Sequence, residues 1–297
     1  MKQITYLLWT GILASALLVM ASVSACAQEP ADNQNNNGFT NHGGIISSML
    51  QDPPPSSLIF PYEENYFVIT QTDSLNREAL ADKSWVNDAR DQEIEYQISI
   101  AAPLYRGLAG SNSVLVSSFT LESWWQACND KISSPFRENN YQPKLFLGWA
   151  MDCNIGGWAL REAEVGYCHQ SNGQSGASSH GWNRIYTRFM AEKDNWQIEL
   201  EPWFLLGTPK ENPDITKYLG YYRLKINYHP GNNLITLQGH YNWNTGYGNA
   251  KLTWSYPLTR NIRLYTQVFS GYGESLIDYN YNQTRFGVGL LLNRDNW

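Results

Sequence analysis

The stretch Gln92-Glu93-Ile94-Glu95-Tyr96-Gln97-Ile98-Ser99-Ile100 decides how this chain folds. Its even positions, Ile94, Tyr96, Ile98 and Ile100, are apolar, while Glu93, Glu95, Gln97 and Ser99 are polar. Only a β-strand sends these two sets to opposite faces. The alternation returns in 196–204, where Trp196, Ile198, Leu200 and Phe204 oppose Gln197, Glu199 and Glu201. It recurs in 262–272, and in 284–292 with Phe286, Val288 and Leu290 on one side. Extended along the chain, the pattern predicts strands near 66–73, 91–103, 113–126, 142–152, 157–171, 182–193, 195–205, 216–228, 233–244, 248–257, 261–272 and 283–293, about twelve in all.

Two architectures make such strands, a sandwich and a closed barrel. Strands of about ten residues match the thickness of a bilayer crossed by a tilted strand. The chain also holds 12 Trp, 19 Tyr and 10 Phe against 16% charged residues, a balance that suits aromatic girdles at a membrane interface. The expectation is therefore an all-β transmembrane antiparallel barrel over 61–297, with Trp297 following its last strand. Closure is required because lipid cannot hydrogen-bond a free sheet edge. The polar sets then face the interior, where Glu162, Glu164, Arg184 and Arg188 are expected to pair and fill a small lumen.

The segment 1–27 reads as a secretory signal, with Lys2, an apolar run over 7–23, and Ala25-Cys26-Ala27 before cleavage at Gln28. Val23-Ser24-Ala25-Cys26 also fits a lipobox, which would instead leave Cys26 acylated. No later segment approaches the roughly 20 apolar residues of a membrane helix. Residues 28–60, rich in Asn and Gly and then holding Pro53, Pro54 and Pro55, read as a flexible N-terminal extension. Beyond the signal, Cys128, Cys153 and Cys168 remain, an odd number that argues against a disulfide framework. Cys168 reads as a small lumen-side residue. A formal net charge of -6 gives no basic surface for nucleic acid.

On the strand at 157–171, the odd positions Ala159, Arg161, Ala163, Val165, Tyr167, His169 and Ser171 share the lipid side, opposite Glu162, Glu164 and Gln170. Residues i and i+2 of a strand lie about 6.5 to 7 Å apart on one face, within reach of an imidazole and a hydroxyl. On the next strand Asn183 shares its parity with Ile185, Thr187 and Phe189, and a hairpin centred near Gly176 places it opposite His169. Polar groups facing lipid are costly and point to function. The chemistry such a trio supports is acyl transfer: Ser171 as nucleophile, His169 as general base and then acid, and Asn183 orienting the imidazole. A triad facing lipid implies a lipid substrate. Tyr167 and Trp182 read as packing and anchoring residues.

The chain resembles the outer membrane phospholipase A family of Gram-negative bacteria over nearly its whole length beyond the signal. The resemblance rests on His169-Gln170-Ser171-Asn172-Gly173, Trp182-Asn183-Arg184-Ile185-Tyr186-Thr187-Arg188, Ser133-Ser134-Pro135-Phe136-Arg137 and Asn212-Pro213-Asp214-Ile215-Thr216-Lys217-Tyr218. It also rests on the matches at 241–247 and 271–279. The resemblance implies a twelve-stranded barrel hydrolysing acyl esters of phospholipids and lysophospholipids, with phospholipase A1 and A2 activity. It further implies a Ca2+ requirement and control by assembly, monomer when resting and homodimer when active. Carried over, Ser179 ligates calcium through its hydroxyl, Gln174 through its backbone carbonyl, and Ser133 of the partner subunit through its carbonyl. The Gly173 amide serves the oxyanion hole. The family usually has Arg where this chain has Gln174 and His180, which puts local charge and calcium affinity in question. Two rival readings are a catalytically silent barrel, either a narrow channel or a structural protein, and a surface-anchored lipoprotein.

Overall fold

The computed structural model describes residues 44–51 and 58–292. The expected signal segment, most of the extension before 44, and Trp297 lie outside the described residues. Among the described residues, thirteen strands form one antiparallel sheet: β1 (Phe60–Pro61), β2 (Tyr66–Thr72), β3 (Gln92–Arg106), β4 (Ser113–Trp125), β5 (Phe136–Ile155), β6 (Trp158–Ser171), β7 (Gly181–Lys193), β8 (Trp196–Leu205), β9 (Tyr222–Tyr228), β10 (Leu234–Asn242), β11 (Tyr247–Pro257), β12 (Ile262–Tyr272) and β13 (Asn282–Leu292). From β2 to β13 each strand pairs with the next, and β13 pairs back onto β2, with Val288 opposite Ile69. Twelve strands thus close a barrel and leave no edge unpaired, as a lipid environment demands. The two-residue β1 continues the line of β2 along β3, pairing Phe60 with Ala101.

The predicted strands agree with these limits apart from two departures. The segment 216–228 begins as a short helix, α2 (Ile215–Leu219), and β9 starts only at Tyr222. Ile215 and Leu219 are buried at helical spacing, and Gly220, with φ +62°, ends the helix. β5 begins at Phe136, earlier than the expected 142, and runs for 20 residues. The expected flexible extension is also corrected where it is described. Residues 45–49 form a helix, α1 (Ile45–Met49), whose Ile46 and Met49 are fully buried among Tyr62, Phe146 and Tyr186 inside the barrel. The Ile46 amide donates to Glu162 Oε1 at 2.6 Å, so the apolar turn plugs the lumen through a charge-assisted bond.

The radial pattern is inverted relative to a water-soluble protein. Ile69, Ile98, Leu145, Leu252, Phe286 and Leu290 are exposed on the outer wall. Charges lie inside. Arg188 pairs with Glu162 at 3.2 Å, with Glu199 at 3.0 Å, and with Glu164. Arg285 and Arg137 share Glu93, each at 2.9 Å, and reach on to Glu274 and Asp278. Between β1 and β2, Glu63 and Glu64 turn inward to meet Arg223 at 2.8 Å and Lys225 at 3.2 Å. Arg184 departs from the expected pairing with Glu162 and Glu164. Its guanidinium stacks 3.9 Å over Trp182 and donates to Cys168 Sγ and Gln170 Oε1. The reason is height in the barrel, because Arg184 lies opposite Cys168, four residues along the strand from Glu164, which lies opposite Arg188.

Removing one member of such a buried network leaves charges uncompensated, at roughly 3 to 5 kcal/mol. Arg188→Met, which strands Glu162, Glu164 and Glu199, is expected to lower barrel stability by about that amount. Urea unfolding of the refolded protein in detergent measures it, and an unchanged midpoint would contradict the account.

Candidate active site on the outer wall

Pairing between β6 and β7 sets His169 opposite Asn183 and Ser171 opposite Gly181. The neighbours at alternate positions, Trp182, Arg184, Tyr186 and Arg188, are all buried toward the lumen. By the two-residue period, Tyr167, His169, Ser171 and Asn183 therefore lie on the outside. The His169 Nδ1 to Asn183 Oδ1 distance is 2.8 Å. Because the amide oxygen accepts, Nδ1 carries the proton and Nε2 is left with its lone pair outward. Asn183 is itself held: Leu206 donates its amide to the Asn183 carbonyl at 2.8 Å, and Tyr167 Oη donates to Oδ1 at 2.6 Å.

Tyr167 is the participant that sequence reading missed. It was assigned to anchoring, and its ring is indeed 41% exposed on the wall. Its parity with His169, two residues away and diagonal to Asn183, was the available signal. Ser171 Oγ forms no hydrogen bond among the described residues, which leaves the hydroxyl to the outer surface.

The loop 172–180 joins the two strands through a 3-10 turn at Gly176–Ser178. Asn172, only 4% exposed, organises it. Its Oδ1 accepts from the amides of His180 at 2.9 Å and Gln174 at 3.3 Å, and its Nδ2 donates to the Ser178 carbonyl at 2.8 Å. Within this frame Gly173 has φ +66°, and its N–H meets no acceptor among the described residues. A Cβ there would lie 3.1 Å from the Tyr141 ring. The backbone angle therefore favours glycine, and a Cβ would also press on the Tyr141 ring.

The expected calcium donors divide between two loops. The Gln174 carbonyl and the Ser179 hydroxyl belong to 172–180, and no donor engages either among the described residues. Ser133 is exposed on the β4–β5 loop, and it makes no hydrogen bond to 172–180. Ser133 and Ser134 have φ of 54° and 51°, left-handed values that cost L-residues about 1 to 2 kcal/mol each. The pair is held in place by Trp125 Nε1 donating to the Ser134 carbonyl at 2.8 Å and by Ser134 Oγ donating to the Ala127 carbonyl at 3.1 Å. Among the described residues no cluster of three His, Cys, Asp or Glu could hold a metal. Carbonyl and hydroxyl oxygens are what remain, a set that fits a hard cation such as calcium.

Fold and site together define a class: a transmembrane β-barrel carrying a hydrogen-bonded His–Asn pair and an adjacent serine on its lipid-facing wall. The sequence profile of Phospholipase A1 matches residues 48–292, and the chain belongs to this family of bacterial outer-membrane phospholipases. It is 52% identical to Phospholipase A1 of Salmonella typhimurium over 95% of this chain and 97% of that one. It is 53% identical to Phospholipase A1 of Escherichia coli K12 over 92% and 95%. Among solved structures, it is similar to the outer membrane phospholipase dimer of Salmonella typhi with bound calcium, at TM-score 0.83 and 56% identity over 86% of this chain and 99% of that one. Outer membrane phospholipase A of Escherichia coli gives TM-score 0.79 at 57% identity over 80% and 99%. The chain is accordingly a phospholipid ester hydrolase of the bacterial outer membrane.

Gly173→Ala forces a side chain into left-handed backbone at about 1 to 2 kcal/mol. Amide hydrogen exchange across 172–175 is expected to quicken while the barrel melts at its usual temperature. Unchanged exchange would show that the turn tolerates a Cβ.

Proposed function

We propose that the chain is a calcium-dependent phospholipase with both A1 and A2 activity, also cleaving lysophospholipids, that acts through Ser171, His169 and Asn183 and is switched on by dimerisation. The observation that carries this reading is the 2.8 Å contact of His169 Nδ1 with Asn183 Oδ1 on the lipid-facing wall, beside Ser171. His169 Nε2 takes the Ser171 Oγ proton as the oxygen attacks the ester carbonyl. The Gly173 N–H donates to the oxygen that gains negative charge. Collapse expels the glycerol oxygen, which receives that proton from His169, and leaves an acyl ester on Ser171. Water then attacks the acyl carbon with His169 again as base, releasing fatty acid and restoring the hydroxyl. Asn183 carries no charge, so its contribution is to fix the tautomer and ring orientation, and Tyr167 steadies Asn183 from the lipid side.

The Gln174 carbonyl and the Ser179 hydroxyl would hold calcium together with Ser133 of the partner subunit. When bound, calcium supplies positive charge near the developing oxyanion. If one ligand comes from the second copy, the calcium site is complete only in the dimer, so calcium favours dimerisation and dimerisation favours calcium. A monomer would then rest idle in the membrane it could degrade. Support comes from the calcium-bound dimer of the Salmonella typhi relative, and from the held, strained backbone at Ser133 and Ser134.

Fatty-acid release from phospholipid–detergent micelles by the refolded protein is expected to require calcium and to cease with chelator. Release that is indifferent to chelator would remove calcium from the account. Ser171→Ala is expected to abolish release while the barrel stays folded and heat-modifiable on gels. Asn183→Ala should reduce turnover less, since the base remains. Tyr167→Phe deletes one hydrogen bond worth about 1 kcal/mol and is expected to slow turnover about fivefold. Full activity in Ser171→Ala would refute the nucleophile.

A further inference from the structure

The connection between β2 and β3 is far longer than its task requires. The strands are neighbours in the sheet, yet residues 73–91 separate them. Antiparallel hairpins need about 2 to 5 loop residues, and much longer connections commonly serve function. This one is also built as a fixed arm. Leu75, Leu80 and Ala89 bury themselves with Ile277 from the β12–β13 loop. Arg77 ties the arm's two halves by donating to the carbonyls of Val86 at 2.9 Å and Ala89 at 3.0 Å.

The far end of this arm reaches the 172–180 loop, past β4 and β5, and touches it at two points. Lys83 Nζ donates to Gln174 Oε1 at 2.8 Å, and Ser178 Oγ donates to Asp82 Oδ2 at 2.9 Å. Asp82 and Lys83 pair with each other at 3.2 Å. On the barrel side Gln174 Nε2 donates to Glu138 Oε2 at 2.8 Å, so the Gln174 amide spans from arm to wall. Within the loop, Asn172 braces the backbone of Gln174, Ser178 and His180, while the Gln174 and Ser178 side chains are held from outside it, by the arm and by Glu138.

We propose that Asp82 and Lys83 are positioning residues, a two-point clamp through which the β2–β3 arm fixes the 172–180 loop in the geometry that hydrolysis uses. The clamp grips Gln174, immediately after Gly173, and Ser178, immediately before Ser179. It therefore brackets the oxyanion donor and the hydroxyl assigned to calcium, and rests on those two assignments. Partial burial pushes the Asp82 carboxyl up, but the hydrogen bonds from Ser178 and Lys83 and the Lys83 charge together outweigh it and hold the group below the usual carboxylate range. The carboxylate is thus a charged acceptor for Ser178, stronger than a neutral one. Misplacing a catalytic donor by about 1 Å can cost about a hundredfold in rate.

The test compares the full-length protein with Lys83→Met, Asp82→Ala and their combination, and with Lys83→Arg and Asp82→Asn, which keep a donor and an acceptor in place. Three quantities are read: kcat and KM on phospholipid–detergent micelles with calcium, hydrogen exchange of the 173–180 amides without calcium, and heat-modifiable migration of the barrel. The double variant is expected to lose about 10- to 100-fold in kcat with KM little changed, to exchange faster across 173–180, and to keep a folded barrel. Lys83→Arg and Asp82→Asn should retain most of both kcat and protection. Unchanged exchange in the double variant would overturn the clamp, whatever happens to kcat. Faster exchange with unchanged kcat would instead overturn the roles given to Gly173 and Ser179, because the loop would be loose and catalysis indifferent to it.

Discussion

Lipid offers no hydrogen bonds, and the rest of the structure depends on that single deficit. Each backbone donor and acceptor at membrane depth must find a partner within the chain, and the closure of β13 onto β2 meets this demand where an open sheet could not. The same deficit sorts the side chains. Apolar groups such as Ile69 and Phe286 can face outward at no loss, so charges move inward and must compensate one another there. Arg188 among three carboxylates, and Arg137 and Arg285 around Glu93, are that compensation. They also occupy the lumen. With α1 seated against Glu162, ion pairs and apolar side chains fill much of the interior and leave a polar cavity of about 160 Å³ lined by Glu95, Glu122, Arg223 and Lys251.

Against an apolar wall, a polar cluster is conspicuous and must be internally satisfied. His169 and Tyr167 both donate to the single amide oxygen of Asn183, which leaves His169 Nε2 and the Ser171 hydroxyl to the outside. An amide suits this location better than a carboxylate, which would face lipid with a full charge. The arrangement also places chemistry where the substrate is most concentrated. No pocket needs to extract a phospholipid from the bilayer, because the wall is already in contact with acyl chains. Under the proposed calcium control, the problem this creates would be met at the loops, with the donors divided between 172–180 and the left-handed turn at Ser133.

Much of this was legible in the sequence because the strand period is short and local. Alternation through Gln92–Ile100 and its repeats located the strands, and parity alone put His169, Ser171 and Asn183 on one side. The misreadings came where the period changed or the contact was distant. Ile215 and Leu219 follow a helical spacing directly before the alternating set Tyr222, Leu224, Ile226 and Tyr228, so α2 was absorbed into a strand. Arg184 shares a face with Arg188, but a face does not give height, and the aromatic rings of Trp182 and Trp203 capture it. The apolar run at 45–49 was masked by its Asn- and Pro-rich surroundings. The left-handed backbone at Ser133 and the reach of Lys83 to Gln174 have no local signature, since both depend on what the fold brings near.

The central claim is that the nucleophile stands on the lipid side of the barrel. The most direct measurement is mass-spectrometric mapping of the protein in phospholipid vesicles after exposure to a long-chain alkyl fluorophosphonate, an acyl-ester mimic that partitions into the bilayer, with calcium present. The account predicts one covalent adduct, on the peptide carrying Ser171, and its disappearance in Ser171→Ala. An adduct on a lumen-facing residue, or equal labelling of Ser171→Ala, would contradict it.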